Sequence, residues 1–194
     1  KFSYDLIISI FLVVFFLISI APVTHSDSLD YHIQASKFIA KNGYFPEELD
    51  NYHFFLLGAG ESLMSLGYIF NSQQFGNIIQ FSGLVSLIGI LKKNKVNSLF
   101  YSLILLSTPV IIFLASSPKP QLFSIASNVL LVALLYRHRN ILLKKEELNY
   151  LLILILTILI NSTNIKFSFI LSSFIIFIFS VYIVYNNNYF KNYL

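Results

Sequence analysis

Six apolar runs dominate this chain, at residues 6–23, 75–91, 98–115, 122–136, 149–160 and 167–185. A helix needs about 20 apolar residues to cross a hydrocarbon core of about 30 Å, so these runs are read as membrane spans. A helix satisfies its own backbone hydrogen bonds, which lipid cannot do. The composition agrees: the chain is 56% hydrophobic and 11% charged, against about 45–50% apolar and about 25% charged in soluble domains. The mean hydropathy is +0.73. The expected fold class is all-α, a polytopic transmembrane helical bundle of about six spans that forms a single unit over residues 1–194.

The first run resembles a signal peptide in position only. It is long, its flank carries Lys1 alone, and the proline of Ala21-Pro22-Val23 makes a poor cleavage site. With a cytoplasmic start, Lys92, Lys93, Lys95, Arg137, Arg139, Lys144, Lys145 and Lys191 fall inside. Only Lys37, Lys41, Lys119 and Lys166 fall outside, as the positive-inside rule requires. That count holds only if residues 54–70, which contain Gly58, Gly60, Glu61 and Gly67, lie at the outer interface without crossing. Residues 24–73 then form a long first extracytoplasmic loop. It sets Asp27, Asp30, Glu47, Glu48, Asp50 and Glu61 against Lys37 and Lys41.

Two surface helices are expected in this loop, at about 28–41 and 57–70. Leu29, Ile33, Ile39 and Ala40 recur at helical spacing, Asn42-Gly43 offers a left-handed stop, and Pro46 bars continuation. Cysteine is absent, which excludes disulfides, thiolate metal sites and a cysteine nucleophile. The basic residues flank apolar runs instead of forming a stripe, so a nucleic-acid partner is not expected.

The segment His25-Ser26-Asp27-Ser28-Leu29-Asp30-Tyr31-His32 places two carboxylates and two imidazoles where the chain leaves the first run. Asp27 and Asp30 are three positions apart, so on a helix they share a face and can address one cation or one substrate hydroxyl. A plain helix start reads equally well: Asp27 as N-cap with Asp30 three positions on satisfies free amides and complements the helix dipole. Glu61 is either an interfacial helix-start residue or a functional carboxylate at membrane level, and His32 either a ligand or a wet-interface histidine. Lys119, in Ser117-Pro118-Lys119-Pro120, and Lys166 stand on the outer side against the charge bias. Each is either a snorkelling helix-end lysine or a point charge for a lipid phosphate.

The order of these features resembles GT-C glycosyltransferases, which include protein O-mannosyltransferases and the aminoarabinose transferases of lipid A. The features are an opening span, a proline, Asp27-Ser28-Leu29-Asp30-Tyr31-His32, a surface helix ending at Asn42-Gly43-Tyr44, a second surface helix before the second span, and Ile165-Lys166-Phe167-Ser168 at a later span start. The resemblance implies inverting transfer of a sugar from a polyprenyl-phosphate carrier to a lipid, glycan or protein acceptor at the outer face of a bacterial plasma membrane. It implies Asp27 as base or metal ligand with Asp30 as its partner, and a divalent metal cation as the cofactor. It matches Glu61 by position and the segment around Lys166, and together with the readings above it makes His32, Glu61, Lys119 and Lys166 the expected substrate contacts. The spacing departs from a strict Asp-X-Asp, which puts the shared role of Asp30 in question.

No Gly-rich phosphate loop, serine elbow or His-Glu-X-X-His motif is present. Two other classes compete. A polysaccharide polymerase or ligase concentrates basic residues in a large later loop. A transporter or lipid flippase shows ionisable residues or broken helices at mid-membrane depth, and no apolar run here carries an ionisable residue near its centre. Starting at Lys1 and ending just after an apolar run, the chain is expected to be the N-terminal portion of a longer protein.

Overall fold

The computed structural model describes residues 2–46, 54, 57–93, 98–138 and 145–186. Glu47, Glu48, Asp50, His53, Lys95, Arg139, Lys144 and Lys191 lie outside the described residues, as do the expectations placed on them. All regular structure among the described residues is helical, as the sequence predicts.

The first helix, α1 (Phe2–Ile20), ends just before Pro22, which has no N–H for a helical bond. The next helical segment begins as a π-helical turn, Ser28–His32, and continues as α2 (Ile33–Asn42). Gly43 closes it with φ of 79° and donates its N–H to the Ile39 carbonyl at 2.8 Å. This is the stop that Asn42-Gly43 announces. The second surface helix, α3, runs Ala59–Ile69, inside the expected limits.

The remaining helices are α4 (Phe75–Lys93), α5 (Ser98–Ser107), α6 (Pro109–Ala115), α7 (Gln121–His138), α8 (Lys145–Ile165) and α9 (Ile170–Asn186), the last preceded by a 3-10 turn, Phe167–Phe169. The run at 98–115 is therefore two helices and not one. Thr108 is extended (φ −75°, ψ 120°) and Pro109 opens α6, with a 70° bend between the pieces. A residue before proline avoids the helical region, and proline is well suited to the first helical position.

The pairing of α1 and α4 is antiparallel. Asp5 meets Lys92 at 3.0 Å at one end, and the rings of Phe16 and Phe81 stand 5.6 Å apart further along. The Asp5–Lys92 pair is exposed and marks register more than it stabilises. Helices α4 and α7 instead run parallel: Gly83 lies against Leu122 and Phe123, and nearer the other end Ile90 and Leu130 line one groove. At the start of α7 the buried Gln80 side chain of α4 accepts from the Leu122 and Phe123 amides at 2.9 and 3.2 Å. Gln80 thus supplies the acceptor that free helix-start amides need.

Phe15, Leu84, Leu87, Ile88, Leu106, Leu114 and Leu122 form one apolar core among α1, α4, α5, α6 and α7. Leu131, Leu135, Ile155 and Leu159 form a second between α7 and α8. Much apolar surface faces outward, including Leu6, Ile10, Val13 and Leu17 on α1 and Leu171, Phe174, Ile175 and Ile178 on α9. Among the described residues Phe75–Lys93 is long and apolar enough to cross a membrane alone, and α5 with α6 passes as a bent pair. The other apolar stretches, Asp5–Ile20, Gln121–Arg137, Asn149–Ile165 and Phe167–Ile183, are shorter, so helix length alone does not carry six spans.

Candidate functional site

Five of the six residues singled out by sequence come together at the end of the bundle opposite Asp5 and Lys92. The sixth, Asp30, stands exposed on the π-helical turn beside them. Three approaches bring the elements together. The start of α3 comes so close to the end of α8 that a Cβ on Gly60 would stand 2.9 Å from the Ile165 carbonyl oxygen and 2.5 Å from the Pro120 ring. Only a residue without a side chain allows that contact. The 116–120 connection reaches back to the segment after α1, where the His25 ring nitrogen Nε2 lies 3.0 Å from Ser116 Oγ.

The Asp27 carboxylate accepts a hydrogen bond from Lys119 Nζ at 2.7 Å. The Lys119 side chain is 8% exposed and that of Asp27 60%, so the pair runs from the interior to the surface. Lys119 also stands over the Phe113 ring, 4.7 Å from its centre, a cation–π contact that helps hold a desolvated ammonium. The hydrogen bond from Lys119 and its charge hold the Asp27 carboxyl below the ordinary carboxylate range.

This geometry corrects the helix-cap reading of Asp27. Its backbone is already helical (φ −60°, ψ −35°) and its side chain makes no cap hydrogen bond. The carboxylate faces a lysine from a distant connection instead of the amides of its own helix.

Glu61 makes two contacts. One oxygen stands 2.6 Å from His32 Nδ1, and the other accepts the Gly58 amide at 2.8 Å. The second contact is half of a capping box, so the helix-start reading of Glu61 holds. The first contact goes beyond it and ties α3 to the π-helical turn. Both side chains are 1% exposed. Burial lowers the His32 pKa against the raising effect of Glu61, with Lys166 and Lys119 lowering it further. Nδ1 therefore carries the proton that Glu61 accepts, and a neutral ring leaves Nε2 as an acceptor.

Lys166 follows α8, extended at φ −151° and ψ 120°. Burial pushes its ammonium below the ordinary lysine range, Glu61 and Asp27 raise it, and Lys119 lowers it. Tyr31, whose ring packs 4.0 Å from that of His32, is raised by burial and then by the charges of Asp27, Glu61 and Asp30. All three carboxylates thus act on one phenol.

Tyr31 and Phe113 were not legible as site residues. An aromatic ring in a chain with 20 Phe and 12 Tyr carries no signal of its own. The Ser117-Pro118-Lys119-Pro120 segment was the one available clue to the partner of Asp27.

Among the described residues no three His, Cys, Asp or Glu side chains group closely enough to hold a metal ion. Asp27 already faces an ammonium, which a divalent cation would have to displace.

Fold and site together define an all-helical protein with an ion pair, Asp27–Lys119, a buried hydrogen-bonded pair, His32–Glu61, and a half-buried lysine gathered at one end of its bundle. Over residues 2–192 the chain matches the DUF1420 N-terminal domain family, and it belongs to that family. No curated protein and no solved structure matches it.

Proposed function

We propose that the chain is the N-terminal, membrane-embedded part of a glycosyltransferase. It takes a sugar from a polyprenyl-phosphate carrier and passes it, with inversion, to a lipid, glycan or protein acceptor at the outer face of a bacterial plasma membrane. The observation that carries this reading is the convergence of Asp27, His32, Glu61, Lys119 and Lys166 from four separate stretches of sequence. Outward apolar surface on α1 and α9 supports a bundle set in lipid, with about six spans. The Asp5–Lys92 end then faces the cytoplasm and the charge cluster the outside.

In this reading Lys166 and Lys119 meet the carrier phosphate, whose charge grows as the sugar leaves. Asp27 holds Lys119 in place and, with Asp30, lines the exposed side where the acceptor arrives. No step is routed through a divalent cation. Replacing Asp27 by Asn in the full-length protein should reduce transfer by about 100-fold or more, because Lys119 loses its partner and the cluster its acidic mouth. Transfer is measured with membrane preparations supplied with a panel of polyprenyl-phosphate sugars. Undiminished transfer by Asp27→Asn at normal expression removes Asp27 from the site.

One observation favours a second reading. The bend at Thr108-Pro109 breaks a helix between two short pieces, a feature of transporters and flippases. The same membranes discriminate the two: movement of the lipid-linked sugar between leaflets with no transfer supports transport.

A further inference from the structure

His32 Nε2 is buried and has no hydrogen-bond partner. An unpaired buried polar atom costs about 1–3 kcal/mol, and such atoms in native structures commonly mark a bound water or a reacting group. Three more buried oxygens without partners belong to the elements that meet at the site: Ser28 Oγ on the π-helical turn, Ser117 Oγ in the connection that carries Lys119, and Ser162 Oγ one turn before Lys166. The ring geometry settles what kind of partner Nε2 needs. Nδ1 is committed to Glu61, so Nε2, on the opposite side of the ring, offers a lone pair and takes a donor.

Asp27 is the residue that the resemblance implies as base, and it is poorly suited to removing a proton. Lys119 holds it ionised and below the usual carboxylate range, and a weaker base takes less of the proton in the transition state. The His32–Glu61 pair has the other arrangement: an imidazole oriented by a carboxylate through Nδ1, with Nε2 free.

We propose that His32, oriented by Glu61, is the proton acceptor for the hydroxyl of the incoming acceptor, through Nε2. The proposal rests on the transferase reading. As the acceptor oxygen forms its bond to the anomeric carbon, its proton passes to Nε2. The bond from that carbon to the phosphate oxygen breaks, and its electron pair stays on the phosphate beside Lys166. Glu61 stabilises the imidazolium, which later returns its proton to water. The groups facing His32 are Glu61 from α3, Tyr31 from its own turn, Asp27 just before that turn, Lys119 from the connection before α7 and Lys166 from the end of α8.

Two substitutions separate a chemical role from a structural one. Asn at position 32 keeps a donor near the Nδ1 position for Glu61 and deletes Nε2. Gln at position 61 keeps an acceptor for the Gly58 amide but presents an N–H to Nδ1, so the ring takes the other tautomer and Nε2 becomes a donor. In the full-length protein, with the same lipid-linked sugar panel, His32→Asn and Glu61→Gln should each lose about 10²–10⁴-fold in kcat/KM. Each should keep a thermal transition close to that of the parent. The parent rate should also fall tenfold per pH unit on an acid limb that His32→Asn lacks.

Transfer by both variants near the parent rate overturns the proposal while leaving the transferase reading intact. A parent pH profile without an acid limb does the same, even where a variant fails to fold. Absence of transfer by the parent from every sugar overturns both.

Discussion

At the scale of single residues, two contacts across the bundle hold the charge cluster together, Asp27 with Lys119 and His32 with Glu61. A spacing of three positions suggests Asp30 as the partner of Asp27, but the structure pairs Asp27 with Lys119, 92 positions away. His32 finds Glu61, 29 positions away. Helical spacing reports neighbours on one helix and is silent on contacts across a bundle, so such pairings are invisible in a single chain. Burial of the neutral His32 ring also makes stability depend on pH. The folded pKa lies below 6.5, so the unfolded chain takes up the proton first. Stability contributed by the neutral ring is present above about pH 6.5 and lost as pH falls through the folded value. Thermal denaturation of the parent should show a lower transition temperature at pH 5 than at pH 7.5, and His32→Asn should show less of this dependence. An equal dependence in the two proteins excludes His32 as its source.

At the scale of elements, the apolar runs and stop signals carried most of what the fold shows. The Asn42-Gly43 stop fell where expected because left-handed backbone at Gly43 is a local requirement, and the limits of α4 followed from the length of its apolar run. The apolar run at 98–115 hides the break between α5 and α6, which falls at Thr108-Pro109. Proline removes one helical bond locally, while the 70° bend depends on what packs against each piece. The contact that seats α3 was hidden, since a glycine in a sequence does not say which backbone approaches it. Gly60→Ala should test that contact. The added methyl would stand 2.5 Å from Pro120 carbons, and Pro120 is buried against its neighbours. Relieving the clash means moving α3 away from α8, at a cost of about 1–3 kcal/mol. Denaturation in detergent reads this as a lowered transition, and an unchanged transition would show that α3 is not seated through Gly60.

At the scale of the whole molecule, the two ends of the bundle differ in chemistry. Asp5, Lys92, Lys93 and Arg137 expose their side chains at one end, while at the other Glu61 and Lys119 are drawn inward against His32 and Asp27. A lone buried charge is costly, and two of the site's charges are relieved by partners, Lys119 by Asp27 and Glu61 by the His32 ring and the Gly58 amide. That asymmetry is what a bundle set across a membrane would use, with a solvated anchor on one side and a substrate site on the other. These 194 residues contain no cysteine, so their orientation can be mapped by single introduced thiols scored against the labelling of the parent protein. Asp30 and Lys93 are both exposed, the first beside the charge cluster and the second at the opposite end of α4. In intact cells a membrane-impermeant maleimide should label Asp30→Cys and leave Lys93→Cys unlabelled until the membrane is opened. Labelling of Lys93→Cys alone would place the charge cluster on the cytoplasmic side, out of reach of an outer-face acceptor. Equal labelling of both would remove the barrier between the two ends on which the proposed topology depends.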